Sequence, residues 1–216
     1  MWEELFPEPL GIGYCCEIIG TMSEPRARNF ADIQYIFLDR DGVLNRCRDG
    51  GFVTRWEQCE VLPGVEDAIA RLNLSGCKVI VVTNQRGVAL GVCTRADVMA
   101  LHHRLREHLT AHGARLDAVY FCPHDEGECN CRKPLPGLFE QAFGDFPGAT
   151  AGNSVMVGDS ISDIEAGANL GMRTVLIADP LQSPRAHAER AAALATASAT
   201  SLLDFVQTWL DVKPKV

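Results

Sequence analysis

The chain has no Lys or Arg before Arg26, and no apolar run approaches the ~20 residues that a membrane-spanning helix needs. The first absence removes the positive n-region of a secretory signal, since Glu3 and Glu4 stand where basic residues would be. The second leaves only Leu10 to Gly20, which is short and interrupted by Glu17. Basic residues are outnumbered, 20 against 28 acidic, for a net charge of −8. A phosphate backbone is bound mainly by clustered Lys and Arg, so nucleic acid is excluded as the main partner. There is no internal repeat. The nine cysteines are odd in number, which does not suit a disulfide framework, and three of them lie within ten residues beside a histidine. These features predict a cytoplasmic enzyme with no membrane partner.

Hydrophobic residues at 47% and charged residues at 22% fit one ordinary globular α/β domain over 216 residues. Residues 1–32, with prolines at 7, 9 and 25 and adjacent Cys15 and Cys16, show no periodicity and read as an N-terminal extension, with Met22 as the expected natural start. The patterned domain is expected over 33–216. Ile33 to Leu38 is strand-like. Pro63 at a first helical position, followed by Val65, Ile69 and Leu72, marks a helix closed by Gly76. Val79 to Val82 is a run of four β-branched residues without polar alternation, which fits a parallel strand covered on both faces. Thr94 with Asp97 resembles a capping box opening a helix to about Ala111. Strands at Ala118 to Phe121, Val155 to Val157 and Thr174 to Ile177 alternate with helices at Pro136 to Phe143 and Ser162 to Leu170. The alanine-rich stretch Ala186 to Thr200 reads as helical, and Leu202 to Leu210 as a last amphipathic helix.

This alternation predicts a Rossmann-like, doubly wound, mainly parallel sheet that binds ligands beyond the carboxyl ends of its strands. Asp39, Thr83 and Asp159 each follow or end a different strand, so all three meet at one edge. Asp39 and Asp41 stand one residue apart where a buried strand emerges, and Gly42 allows a turn that brings both carboxylates to one pocket. One carboxylate can take phosphate as an acyl phosphate while the other handles protons. Alone, Asp-x-Asp-Gly is also an ordinary solvated turn. Thr83, the cation of Lys133 and Gly158-Asp159 make it a phosphoryl-transfer site. Concentrated carboxylates favour a hard, octahedral ion such as Mg2+.

A second chemical signal is Cys122-Pro-His124-Asp-Glu-Gly-Glu-Cys129-Asn-Cys131. Three thiols and an imidazole can close a tetrahedral Zn2+ site with no open position, which makes it structural. Arg132 and Lys133 follow directly, so the metal would fix where both cations point. His108 and His112 share a helix face without a third ligand and read as a solvated face. Cys47, Cys59, Cys77 and Cys93 read as small apolar or partly exposed residues.

Asp39-Arg-Asp-Gly-Val, Thr83, Lys133 and Gly158-Asp159-Ser-Ile-Ser-Asp163 resemble, in order, the four motifs of the haloacid dehalogenase superfamily. The resemblance implies that Asp39 is the nucleophile, Asp41 the general acid and base, and Thr83 and Lys133 stabilisers of the transferring group. It implies that Mg2+ is held by Asp39, Asp159 and the backbone carbonyl of Asp41, with Asp163 in support. The Cys-Pro-His loop running into Cys-x-Cys-Arg-Lys-Pro is similar to a narrower branch, the heptose bisphosphate and histidinol phosphatases, over about Ile36 to Ile177. That likeness assigns Arg132 to substrate recognition and places Asn84, Gln85 and Arg86, with Gly51 and Phe52, beside the substrate. Ser160 stands where the heptose enzymes have lysine, the loop between Asn45 and Phe52 is longer, and the zinc loop is as compact as in histidinol phosphatases. About twenty residues between Gly42 and Pro63 leave no room for a separate cap domain.

The expectation is a monomeric, Mg2+-dependent phosphomonoesterase. Its first expected substrate is D-glycero-D-manno-heptose 1,7-bisphosphate, cleaved at the 7-phosphate, and its second is histidinol phosphate. A catalytically silent, zinc-stabilised binding module is the alternative from another class, and a polynucleotide 3'-phosphatase is disfavoured by the acidic charge.

Overall fold

The computed structural model describes residues 30, 32–48, 51–183 and 185–212, with side chains through residue 209. The expectation about Met22 lies outside the described residues. β1 (Tyr35–Leu38) is buried beyond its first residue, and its alternation divides the core. Ile36 and Leu38 face one side, with Val79 and Val81 of β2 (Lys78–Asn84) and the apolar stripe of α1 (Val65–Leu74). Phe37 faces the other, against Ile80, Val82, Phe139 and Met156. Successive strand side chains point to opposite faces, so continuous apolar runs mean a sheet covered on both sides.

The remaining elements follow in order: α2 (Arg95–Ala111), β3 (Ala118–Cys122), α3 (Gly137–Asp145), β4 (Ser154–Gly158), α4 (Ile161–Asn169), β5 (Arg173–Ile177), α5 (Ala188–Leu194), β6 (Ala197–Ala199) and α6 (Leu202–Val212). All five pairings are parallel, and the strand order is β3-β2-β1-β4-β5-β6. β1 lies between β2 and β4, where the order of strands reverses, and the carboxyl edge at that point is the natural crevice. No separate cap domain is inserted among the described residues; between Asp41 and α1 the chain forms only short bridges and one turn of 3-10 helix (Trp56–Gln58).

The sheet is wholly parallel and one strand larger than expected. Ala186 to Thr200 contains α5 but ends in the edge strand β6, whose Ala-Ser-Ala sequence has no strand-like bulk to mark it. The Thr94–Asp97 capping box is present in both directions. α1 begins at Val65 rather than Pro63, because Gly64 takes a left-handed φ of 80° and caps it. Phe30 packs edge-on against Phe205, and its carbonyl accepts from Trp209 Nε1 at 2.8 Å, so the chain before β1 is tied to α6.

Candidate active site

β1 ends at Leu38 and delivers Asp39, whose amide bonds to the Val157 carbonyl of β4 at 2.9 Å. The chain then turns: Gly42 N bonds to Asn45 O at 2.7 Å, and Arg40 O accepts from Leu44 N at 2.8 Å. Gly42 sits at φ +90°, and a Cβ there would lie 1.9 Å from Asp159 Oδ2. Only glycine allows both the left-handed turn and this approach of the β1 and β4 loops. Gly158 is constrained by space alone, because a Cβ would meet the Asp163 side chain.

Lys133 joins the carboxylates. Its Nζ lies 2.9 Å from Asp39 Oδ1 and 2.5 Å from Asp163 Oδ1, and it donates to the Val82 carbonyl at 2.7 Å. Two ion pairs and one hydrogen bond surround the ammonium and fix the head group. Burial works against its charge, but Asp163 and Asp39 outweigh burial and hold its pKa above the usual value. The Lys133 backbone is clamped by Asn84, which accepts from its N–H at 3.0 Å and donates to its carbonyl at 3.1 Å. Asp163 is also part of the α4 cap, accepting from Ser160 N at 3.1 Å and Ser160 Oγ at 2.6 Å.

Carboxylate oxygens of Asp39, Asp159 and Asp163 lie within 4.8 Å of one another. Burial raises the Asp39 pKa, Lys133 opposes it, and Asp163 and Asp41 add to it. Asp159 is pushed up to about 7, by burial first, with Arg185 opposing and Asp163 and Asp39 adding repulsion. Its Oδ1 is buried without a hydrogen-bond partner. A pocket short of positive charge, with an orphaned carboxylate oxygen, fits a hard divalent cation. Arg185 supplies part of that charge. Its Nε donates to Asp159 Oδ2 at 2.5 Å and its Nη2 reaches the Asp41 carbonyl at 3.5 Å, so those two expected metal-binding oxygens converge on one cation.

The Asp41 carboxylate turns the other way. It accepts from Arg40 Nη2 at 2.7 and 2.9 Å, Asn45 Nδ2 at 2.9 Å and Gln85 Nε2 at 3.0 Å. Burial pushes its pKa up, but the Arg40 charge and these donors outweigh burial and leave it below the usual carboxylate value. Gln85 Nε2 also donates to Thr83 Oγ1 at 3.0 Å, linking the end of β2 to the turn after β1.

These groups line a cleft of about 240 Å³ whose walls include Asp39, Asp41, Asp159, Asp163, Arg48, Gly51, Phe52, Asn84, Gln85, Arg132, Lys133, Ser160 and Arg185. Arg132 has its Nη1 buried and without a partner. Thr83 lies beneath, 1% exposed. Arg86 is not in the lining: it forms a 2.6 Å ion pair with Asp125 of the Cys/His loop.

In that loop the four expected ligands come together. Cys122 Sγ lies 3.6 Å from His124 Nδ1 and 3.5 Å from Cys129 Sγ, and Cys131 Sγ lies 3.4 Å from each of the same two atoms. A metal–sulfur bond of about 2.3 Å gives tetrahedron edges of about 3.8 Å, close to these separations, so the cluster is shaped for a tetrahedral ion. Burial pushes the Cys131 thiol up to about 12, and hydrogen bonds from neighbouring groups bring Cys129, despite its desolvation, down to about 7.

Several site residues went unread in the sequence. Arg185 and Gln182 come from the β5–α5 loop, where Gln182 bridges Gly42 O and Cys47 N, each at 3.3 Å. Cys47 is a pocket residue, 3.8 Å from Asp159 Oδ2, rather than a scattered thiol. Arg40 is wholly buried beside His102, a histidine set in the apolar stripe Val98, Leu101, Leu105 and Leu109 of α2. A polar residue in such a stripe was the available signal. His108 is not simply solvated: it bonds to Glu66 at 2.8 Å and its ring lies 5.4 Å from that of Trp56.

The fold and pocket define a carboxylate site for phosphate chemistry on a Rossmann-like sheet. The HAD-hydrolase-like family pattern matches residues 130–205. A Mycobacterium tuberculosis D-glycero-alpha-D-manno-heptose-1,7-bisphosphate 7-phosphatase is 42% identical over 136 residues, spanning 62% of this chain and 72% of that protein. The Vibrio cholerae D-glycero-beta-D-manno-heptose-1,7-bisphosphate 7-phosphatase is 34% identical over 186 residues, 82% of this chain and 97% of that one. Among solved structures, the D,D-heptose 1,7-bisphosphate phosphatase of B. bronchiseptica, complexed with magnesium and phosphate, superposes with a TM-score of 0.73 at 31% identity, covering 83% of this chain and 99% of that one. The chain belongs to the HAD-like hydrolases, among their phosphatases.

Proposed function

We propose that the chain hydrolyses D-glycero-D-manno-heptose 1,7-bisphosphate at its 7-phosphate through an aspartyl-phosphate intermediate. The observation that carries this reading is Lys133, whose ammonium binds Asp39 and Asp163 together at the carboxyl edge of the sheet. Heptose bisphosphatases among the relatives supply the substrate class. Asp39 attacks phosphorus, and the bond to the sugar oxygen breaks as Asp41 gives that oxygen a proton. Water then attacks phosphorus, the bond to the Asp39 oxygen breaks to release phosphate, and Asp41 takes the water's proton. Thr83 and Lys133 offer donors to the phosphoryl oxygens, and Lys133 keeps Asp39 aimed by holding one of its oxygens. Asp39, Asp159 and the Asp41 carbonyl would hold Mg2+, which when bound neutralises charge on the transferring group.

Arg132, with its unpartnered Nη1, would bind the second phosphate or the sugar, beside Asn84, Gln85, Gly51, Phe52 and Ser160. Cys122, His124, Cys129 and Cys131 would hold Zn2+ and so fix the segment that carries Arg132 and Lys133. Thiolate ligands of this kind suit a reducing, cytoplasmic setting. Among the described residues no helix is long and apolar enough to cross a membrane.

The test is phosphate release with Mg2+ from both anomers of the heptose bisphosphate, from fructose 1,6-bisphosphate and from histidinol phosphate. The reading expects kcat/KM on a heptose anomer to exceed that on histidinol phosphate by about a hundredfold or more. A preference for histidinol phosphate overturns the substrate. Release from none of them leaves a binding module.

A further inference from the structure

We infer that His102 and Arg40 form a buried pair that positions the Asp41 carboxylate for proton transfer. The inference rests on the reading of Asp41 as general acid and base.

Arg40 stands between the two site aspartates, and strand alternation sends its side chain inward rather than into the cleft, where it is 0% exposed. Its guanidinium approaches Asp41 as a fork, with Nη2 at 2.7 Å from Oδ2 and Nε at 3.2 Å from Oδ1. Such a fork fixes the plane of a carboxylate as well as its distance. Two further groups hold the fork. Nη2 also donates to the Val53 carbonyl at 3.2 Å, and Nη1 lies 3.1 Å from His102 Nε2.

Arginine has no acceptor, so His102 Nε2 must accept and the ring proton sits on Nδ1. His102 is 6% exposed, and its ring meets Phe121 edge-on at 5.6 Å, which fixes its orientation. Burial, and then the Arg40 charge, push its pKa down to about 3, so it stays neutral. The neutrality has a use. A carboxylate at this place would compete with Asp41 for the guanidinium, whereas an imidazole satisfies Nη1 and leaves the cation to Asp41. Of the described residues, Arg40 is the one cation within ion-pair distance of the Asp41 carboxylate.

A positioned acid matters most when the leaving oxygen is basic. A sugar alkoxide needs the proton in the transition state, and p-nitrophenolate hardly does. His102→Phe keeps a ring against Phe121 but removes the acceptor for Nη1. With Mg2+ saturating, this variant is expected to lose about tenfold in kcat on the heptose bisphosphate with KM within about twofold, and less than about threefold on p-nitrophenyl phosphate. His102→Gln, whose amide oxygen can accept from Nη1, is expected to restore sugar phosphate turnover to within about threefold. Circular dichroism, the melting temperature and Mg2+ binding by calorimetry establish that each variant is folded and loaded. If His102→Phe does not fold, His102→Asn, too short to span the gap, takes its place under the same criteria.

Equal losses on both substrates, or no loss on the sugar phosphate, overturn the inference. Asp41→Asn is measured alongside. If it keeps sugar phosphate turnover, the reading of Asp41 fails. If it loses that turnover and His102→Phe does not, only the role of His102 fails.

Discussion

Acidification from about pH 7.5 to about pH 5.5 should destabilise the protein through His102 by an amount the structure bounds. In the unfolded chain this imidazole protonates near 6.5; in the folded protein burial and Arg40 push it to about 3. A histidine with a depressed folded pKa contributes stability that is complete above 6.5 and lost as pH falls toward 3. One unit below the unfolded pKa, the unfolded chain has taken up nearly a full proton that the folded one has not, a loss of about 1–2 kcal/mol. The folded value hardly enters, because it lies well below the lower pH. The assay is urea unfolding of wild type and His102→Gln at both pH values, with Zn2+ and Mg2+ held constant. Glutamine does not titrate, so wild type should lose about 1–2 kcal/mol more than the variant. Equal losses in both proteins would show that His102 is protonated normally and that its bond to Arg40 is not as described.

Lys133→Met should leave Asp39 and Asp163 buried without their shared cation; a loss of about 3–5 kcal/mol in denaturant melts is expected, together with loss of phosphate release. Gly42→Ala should lower stability by about 1–3 kcal/mol and abolish Mg2+ binding measured by calorimetry, because the new Cβ falls on Asp159 at a φ reserved for glycine. Elemental analysis of protein prepared without chelator should find about one zinc per chain, and Cys131→Ser should lower both zinc content and melting temperature. Zinc-free protein of unchanged stability would refute the structural role of the loop.

What the sequence made legible was local and strongly patterned. The run Val79 to Val82 and the Thr94–Asp97 box announce β2 and α2, because burial on both faces and cap chemistry each leave their own pattern. The four Cys/His side chains and the Asp39, Asp159 and Lys133 group were legible because chemistry restricts residue type and spacing, and the fold brings each group together. β6 was not, since three small residues at a sheet edge carry neither bulk nor alternation. Arg185 reaches the Asp41 carbonyl, and Gln182 bridges Gly42 and Cys47 beside the pocket, by loop contacts that span more than a hundred residues, and no local pattern encodes such contacts. Arg40 lies inside the best marked motif, yet its partner stands 62 residues on, in a helix whose stripe it interrupts.

The central claim is that Asp39 carries the phosphoryl group in turnover. Rapid acid quench of the protein with Mg2+ and heptose bisphosphate labelled with 32P at the 7-phosphate, followed by peptide mapping, should find an acid-stable, hydroxylamine-labile phosphate on Asp39. Asp39→Asn should carry no label and release no phosphate while remaining folded. Label on another residue, or near wild-type turnover by Asp39→Asn, would contradict the account.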